Sequence, residues 1–240
     1  MLLLALAIAP GLAISIYFFL KDQYNREPRR HLLISFLLGI VSAVMAVAAE
    51  TLLIDFFRIE PKSSVVSAVI MAYPIVALSE EWSKYIMVRL YAFPKPEFDE
   101  PFDGIVYAVM VSMGFATVEN IAYVMQTGYG TAILRMFLSV PAHASFAIIM
   151  GYYLGKAKFG GKRRTLLLMT GLFWAVFWHG TYDLFLFLQE NEMVKLFVSD
   201  GLLFAGALCS FLLAIRLSSK AIREHVQLSE KMHKENMEQG

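Results

Sequence analysis

Seven long apolar runs decide what this chain can become, covering roughly residues 1–20, 32–54, 65–93, 102–125, 131–155, 165–188 and 196–215. At about 1.5 Å of rise per residue, roughly 20 helical residues cross a hydrocarbon core of ~30 Å. The bilayer core offers no water to the backbone, so a spanning segment is a helix or a strand of a closed barrel. Runs this long without period-2 alternation do not suit barrel strands. The chain is therefore expected to be all-α, a polytopic membrane helix bundle of about seven transmembrane helices. Composition agrees: 58% of the 240 residues are hydrophobic and 17% charged, and the mean hydropathy is +0.58, too apolar for a soluble domain with a wet surface. A formal net charge of +1 gives no global field to attract nucleic acid, and no such partner is expected.

The loops give the direction. Lys21, Arg26, Arg29 and Arg30 follow the first run, Lys156, Lys158, Lys162, Arg163 and Arg164 follow the fifth, and Arg216, Lys220 and Arg223 follow the seventh. The opposite loops hold only Arg58, Lys62 and Lys195. With seven spans, the excess of basic residues on cytoplasmic loops puts the N-terminus outside and the C-terminus in the cytoplasm. Residues 1–217 read as one transmembrane domain and 218–240 as a charged cytoplasmic tail, an amphipathic helix that frays into disorder. Met1–Leu20 lacks a basic leading segment and reads as a retained first span. Pro74 is expected to bend or break the third run, with an outer segment ending near Tyr73 and a second helix starting near Pro74. The single cysteine, Cys209, lies in an apolar run and is expected to pack in the core.

Charges inside these runs carry the chemistry. Leu78-Ser79-Glu80-Glu81-Trp82-Ser83-Lys84-Tyr85 puts three ionisable groups where each costs roughly 3 kcal/mol even on lenient insertion scales. Glu80 and Lys84 are four apart on one helical face. Glu81 points about 100° away and reaches Lys84 at three apart. One carboxylate can pair with the lysine while the other faces elsewhere, or the trio is a buried ion pair with a spare carboxyl. Glu81 is expected to be the member that faces away from the pair and serves as general base, because Glu80 has the better spacing for the pair. Further along stand Phe115 and Glu119 at i and i+4, then His143, then His179 and Asp183 at i and i+4. Glu50 and Asp200 lie close enough to the ends of their runs to be wet and are left out of the site.

Glutamate and histidine on separate helices suit a divalent metal such as zinc, which in catalytic sites takes three protein ligands and keeps one position open. Glu119, His143 and His179 would supply the three, and Asp183 a fourth ligand or an orienting contact. Glu80 or Glu81, steadied by Lys84, would be the general base that deprotonates a water attacking a carbonyl. The rival reading uses the same buried groups as a proton or cation path of a transporter, but inverted repeats and paired broken spans are missing.

The ordered set Glu80-Glu81-x-x-Lys84, Phe115-x-x-x-Glu119, His143 and His179 to Asp183 resembles the PrsW family of intramembrane proteases, within the wider superfamily of CAAX-processing and Abi membrane proteins. The likeness covers about residues 65–188. Lysine at 84 and glutamate at 119 favour the PrsW branch. The resemblance implies endoproteolysis of a single-span membrane protein, as in the first cut of an anti-sigma factor, by a multi-pass protein of a prokaryotic plasma membrane. The motifs leave open whether a metal or a glutamate-activated water alone drives the cut.

Overall fold

The structure is a computed structural model that describes residues 1–59 and 64–239; Lys62, used above for orientation, lies outside them. All regular structure among the described residues is helical. The elements are α1 (Leu2–Lys21), α2 (Arg29–Phe57), α3 (Val65–Ala92), α4 (Pro101–Thr127), α5 (Tyr129–Phe137), α6 (Ser139–Phe159), α7 (Arg164–Leu188), α8 (Glu192–Lys195) and α9 (Asp200–Gln239).

The bundle is built around α4. Pro101 occupies its first turn, where the missing N–H is not needed, and Glu100 and Asp103 cap that turn reciprocally. Every residue from Pro101 to Thr117 is buried, and α1, α2 and α6 pack around it. Small residues allow this proximity. A Cβ on Gly114 would collide with the Phe36 carbonyl, one on Gly39 with the Val111 carbonyl, and one on Gly151 with the Gly104 carbonyl. Where lipid removes most of the hydrophobic drive for helices to associate, backbones meet through such small residues.

Among the described residues, six helical stretches are long and apolar enough to cross a membrane: Leu2–Lys21, Arg29–Phe57, Val65–Ala92, Pro101–Thr127, Tyr129–Phe159 and Asp200–Glu238. The run expected as a seventh span is α7, whose 25 residues reach about 37 Å at helical rise. Trp174, Trp178, His179, Tyr182 and Asp183 interrupt its apolar run.

Four local expectations are revised. Pro74 does not divide α3. Met71–Ala77 forms a π-type turn around it, and the wider turn absorbs the proline's missing donor and its clash with the preceding carbonyl. The fifth run, in contrast, is interrupted at Leu138 (φ −116°, ψ −71°), because Pro141 has no N–H to offer the Phe137 carbonyl four residues back. The tail does not fray among the described residues: α9 runs unbroken for 40 residues. Ser218, Ala221, His225 and Ser229 are buried along one face of it. Ser218 donates to the Ser145 carbonyl at 2.9 Å, and the His225 ring stacks on Tyr152 at 4.5 Å between centroids. This stripe uses Ser, Ala and His rather than Leu and Met, so it does not read as an apolar face. Cys209 is exposed on α9, on the side turned away from the bundle, and does not pack in the core.

Candidate active site

Four helices converge on one polar cluster. α3 brings Glu80, Glu81 and Lys84, α4 brings Glu119, α6 brings His143 and α7 brings His179 and Asp183. The π-type turn of α3 seats the Tyr73 ring against Gly180, where a Cβ would strike it, and Tyr73 Oη bonds Thr181 Oγ1 at 2.9 Å. That contact fixes α7 beside α3 one residue from His179.

Lys84 is the hub. Its ammonium is fully buried and donates to Glu81 Oε1 at 2.8 Å, to Glu80 Oε2 at 3.1 Å and to His143 Nδ1 at 3.2 Å. All three of its donors are used, with the Phe115 ring 3.9 Å away on another side. With Nδ1 accepting, His143 carries its hydrogen on Nε2 and donates it to Glu119 Oε2 at 2.8 Å. His179 Nδ1 meets Glu81 Oε1 at 2.9 Å, and its Nε2 faces Asp183 Oδ2 at 3.1 Å and Glu80 Oε2 at 3.9 Å. The Phe146 ring stacks on His179 at 5.1 Å, which leaves that imidazole little freedom to rotate.

The two adjacent glutamates have different surroundings. Glu80, Glu119, His143, His179 and Asp183 line a cavity of about 660 Å³. Glu81 is wholly buried behind them, bound back to Lys84 and His179. Sequence spacing favoured Glu81 as the member facing outward; the structure turns Glu80 to the cavity instead. Glu80 Oε2 stands 3.9 Å from His143 Nδ1 and 3.9 Å from His179 Nε2.

Arg135 and Glu50 also line this cavity, and sequence reasoning did not place them there. Arg135 Nη2 lies 3.0 Å from Glu119 Oε2, and its Nε donates to Asn120 Oδ1 at 3.0 Å. Arg135 sits on α5, outside every motif, and only its position six residues before Pro141 could have drawn attention to it. Asp200 is exposed at the start of α9, away from the cluster.

The donor set fits a divalent cation. Ligand atoms of Glu80, Glu81, His143 and His179 lie within 4.8 Å of one another. With Glu50, five carboxyl groups stand around one ammonium and one guanidinium, so acidic groups outnumber the cations. His179 Nε2 confronts two carboxylate oxygens, so a ring proton or a bound cation has to lie among them. Two imidazoles with carboxylates are zinc-type ligands. Glu119 does not join that group; it is bound to His143 and Arg135.

A bundle of apolar helices that buries paired histidines and carboxylates against a cavity has the groups that a membrane-embedded hydrolytic enzyme needs. Comparison with known proteins gives the particular one. Residues 27–219 match the model of the PrsW family intramembrane metalloproteases, and the chain belongs to that family. It is 40% identical to Protease PrsW of Geobacillus kaustophilus over 189 residues, 79% of this chain and 81% of the relative. With Protease PrsW of Bacillus subtilis it shares 37% over 190 residues, 79% of this chain and 84% of the relative. With that of Clostridioides difficile it shares 35% over 203 residues, 82% and 84%. No solved structure matches the chain. The chain is thus a membrane protease, and the transporter reading falls away.

Proposed function

We propose that the chain is an intramembrane endopeptidase that cuts a single-span membrane protein, an anti-sigma factor or a protein of similar architecture, with Glu80 as the proton acceptor. The observation that carries this is the position of Glu80 on the cavity wall, 3.9 Å from each histidine. Lys84 and Glu81 hold it from behind.

In this reading His179 and Asp183, with His143 Nδ1 giving up its bond from Lys84, would hold a divalent metal, zinc by the chemistry of the donors. Bound there, the ion would supply Lewis-acid charge that acidifies water and polarises a peptide carbonyl. Glu119 orients the His143 ring and Glu81 the His179 ring, as carboxylates do for ligating histidines. Glu80 takes the proton from the attacking water and returns it to the amide nitrogen as the C–N bond breaks. Arg135 neutralises Glu119 and shapes the mouth of the cavity where substrate backbone enters.

Counting α7 as a span gives seven, with the N-terminus outside and the basic loops 21–30 and 156–164 in the cytoplasm. Residues 1–217 then carry the catalytic unit and 218–240 the cytoplasmic extension of α9. Glu119 lies nine residues from the Gly128 end of α4, about 14 Å, and eighteen from its Pro101 end, about 27 Å. The cut is accordingly placed in the outer half of a prokaryotic plasma membrane.

Purified full-length protein tests the metal. It is expected to hold about one zinc-type ion per chain, and His179→Ala and His143→Ala to lose both the ion and cleavage of a membrane-anchored peptide. An active, metal-free protein indifferent to chelators would contradict the metal reading and leave Glu80 acting on water alone.

A further inference from the structure

A second group of buried carboxylates lies at the far end of α4 from the cavity. Asp103 is sixteen residues from Glu119, about 24 Å along the helix. Ligand oxygens of Asp22, Glu100 and Asp103 lie within 4.8 Å of one another, and Glu27 faces Asp103 beside them. All four residues are at least 95% buried. Among the described residues no lysine or arginine forms an ion pair with these four carboxylates; Arg26, which donates to the Asp22 backbone carbonyl at 3.2 Å, is a nearby cation that acts on Asp22.

Each carboxylate commits one oxygen to the fold and leaves the other free. Asp22 Oδ2 accepts the Glu27 N–H at 2.9 Å. Asp103 Oδ2 accepts the N–H groups of Asp99 at 2.9 Å and Glu100 at 2.8 Å. Glu100 accepts the Asp103 N–H in the cap of α4, and Glu27 Oε2 accepts from Tyr107 Oη. Asp22 Oδ1, Glu27 Oε1, Glu100 Oε1 and Asp103 Oδ1 are buried without a partner. A further group points in from a different element: Ser229 of α9 is 1% exposed and turns its hydroxyl toward the Glu100 carboxylate, with no closer partner. Buried acceptors left unpaired each cost on the order of 1–3 kcal/mol, more when charged. Four carboxylate oxygens in one place call for a shared partner.

We propose that Asp22, Glu100 and Asp103, with Glu27 and Ser229 beside them, form a second cation site, separate from the catalytic cluster and built for a hard divalent ion, Mg2+ or Ca2+. The set is all oxygen, with no imidazole or thiolate ligand to favour zinc. Burial first, and neighbouring carboxylates after it, push Asp22 up to about 6, Glu27 to about 8 and Glu100 to about 7, as expected where negative charge lacks its counter-ion. The ion would join three segments: the loop after α1, the cap of α4 and, through Ser229, the extension of α9.

The test is calorimetric titration of Ca2+ and, separately, Mg2+ into the purified full-length protein with its catalytic metal in place. Limited proteolysis of α9 beyond His225 is followed in parallel. One saturable site is expected, with protection of α9 on filling, and whichever ion saturates it at lower concentration is the one the site serves. Affinity should fall at least about tenfold in Asp22→Asn and Asp103→Asn, each of which keeps the oxygen that accepts backbone N–H groups, and should be unchanged in Cys209→Ser, whose side chain is exposed on α9. Glu27→Gln gives a milder version of the same loss and covers the case of a variant that does not fold. No saturable binding of either ion to the wild type would overturn the proposal. So would binding that persists undiminished in all three carboxylate variants.

Discussion

Replacing Lys84 by methionine removes the one cation that holds both motif glutamates. The side chain is 0% exposed, and Glu80 and Glu81 are 8% and 1% exposed, so water cannot substitute for the ammonium at Glu81 and reaches Glu80 only from the cavity. Losing one partner of a buried pair costs about 3–5 kcal/mol, against under about 1 for an exposed pair. Methionine restores most of the volume and packs on Phe115, so little of the loss is a cavity effect. The double variant Glu81→Gln/Lys84→Met removes the stranded charge that has no access to the cavity. It should be less destabilised than the two single changes predict, by about 1–3 kcal/mol, since the groups are in contact. Thermal unfolding in detergent, followed through the three tryptophans, measures both numbers. A Lys84→Met protein as stable as wild type, or a double variant no better than the sum of its parts, would refute the assignment of Lys84 as the electrostatic hub.

Two other changes probe separate parts of the account. Arg135→Ala should lower cleavage by about tenfold or more, through loss of a charge-assisted contact worth roughly 1.5–3 kcal/mol. Arg135→Lys should recover little of it, because lysine cannot serve Glu119 and Asn120 together; both are read from cleavage rates at saturating and limiting substrate. In a Cys209→Ser background, a cysteine at Gly161 should resist an impermeant thiol reagent in intact cells and react after permeabilisation. Strong labelling from outside would reverse the orientation.

What the sequence revealed follows from what is local. Helices could be read because lipid permits little else over runs of 20 apolar residues, and the motif residues stood out because each is a costly charge at i, i+3 or i+4 from another. The rotation of α3 about its axis was not legible. The π-type turn at Met71–Ala77 takes an extra residue per turn and shifts the phase of everything after it. Which of Glu80 and Glu81 meets the cavity therefore depends on packing against α7, not on spacing to Lys84. Arg135 was hidden for a related reason: its partner Glu119 is on another helix, brought near by the break at Leu138. The docking of α9 rests on a stripe of small and polar residues, whose burial no hydropathy pattern announces.

The central claim is that Glu80, and not its neighbour, accepts the proton. Cleavage of a membrane-anchored peptide by metal-loaded Glu80→Gln, compared with wild type and Glu81→Gln at equal metal content, tests it most directly. Glutamine keeps the size and the hydrogen bond to Lys84 but cannot take up the proton. The account predicts a folded, metal-retaining Glu80→Gln protein slowed about 100-fold to 10,000-fold. It predicts a smaller loss, about 10-fold to 100-fold, for Glu81→Gln, which only orients His179 and Lys84. Cleavage by Glu80→Gln at the wild-type rate, or a larger loss in Glu81→Gln than in Glu80→Gln, would contradict it.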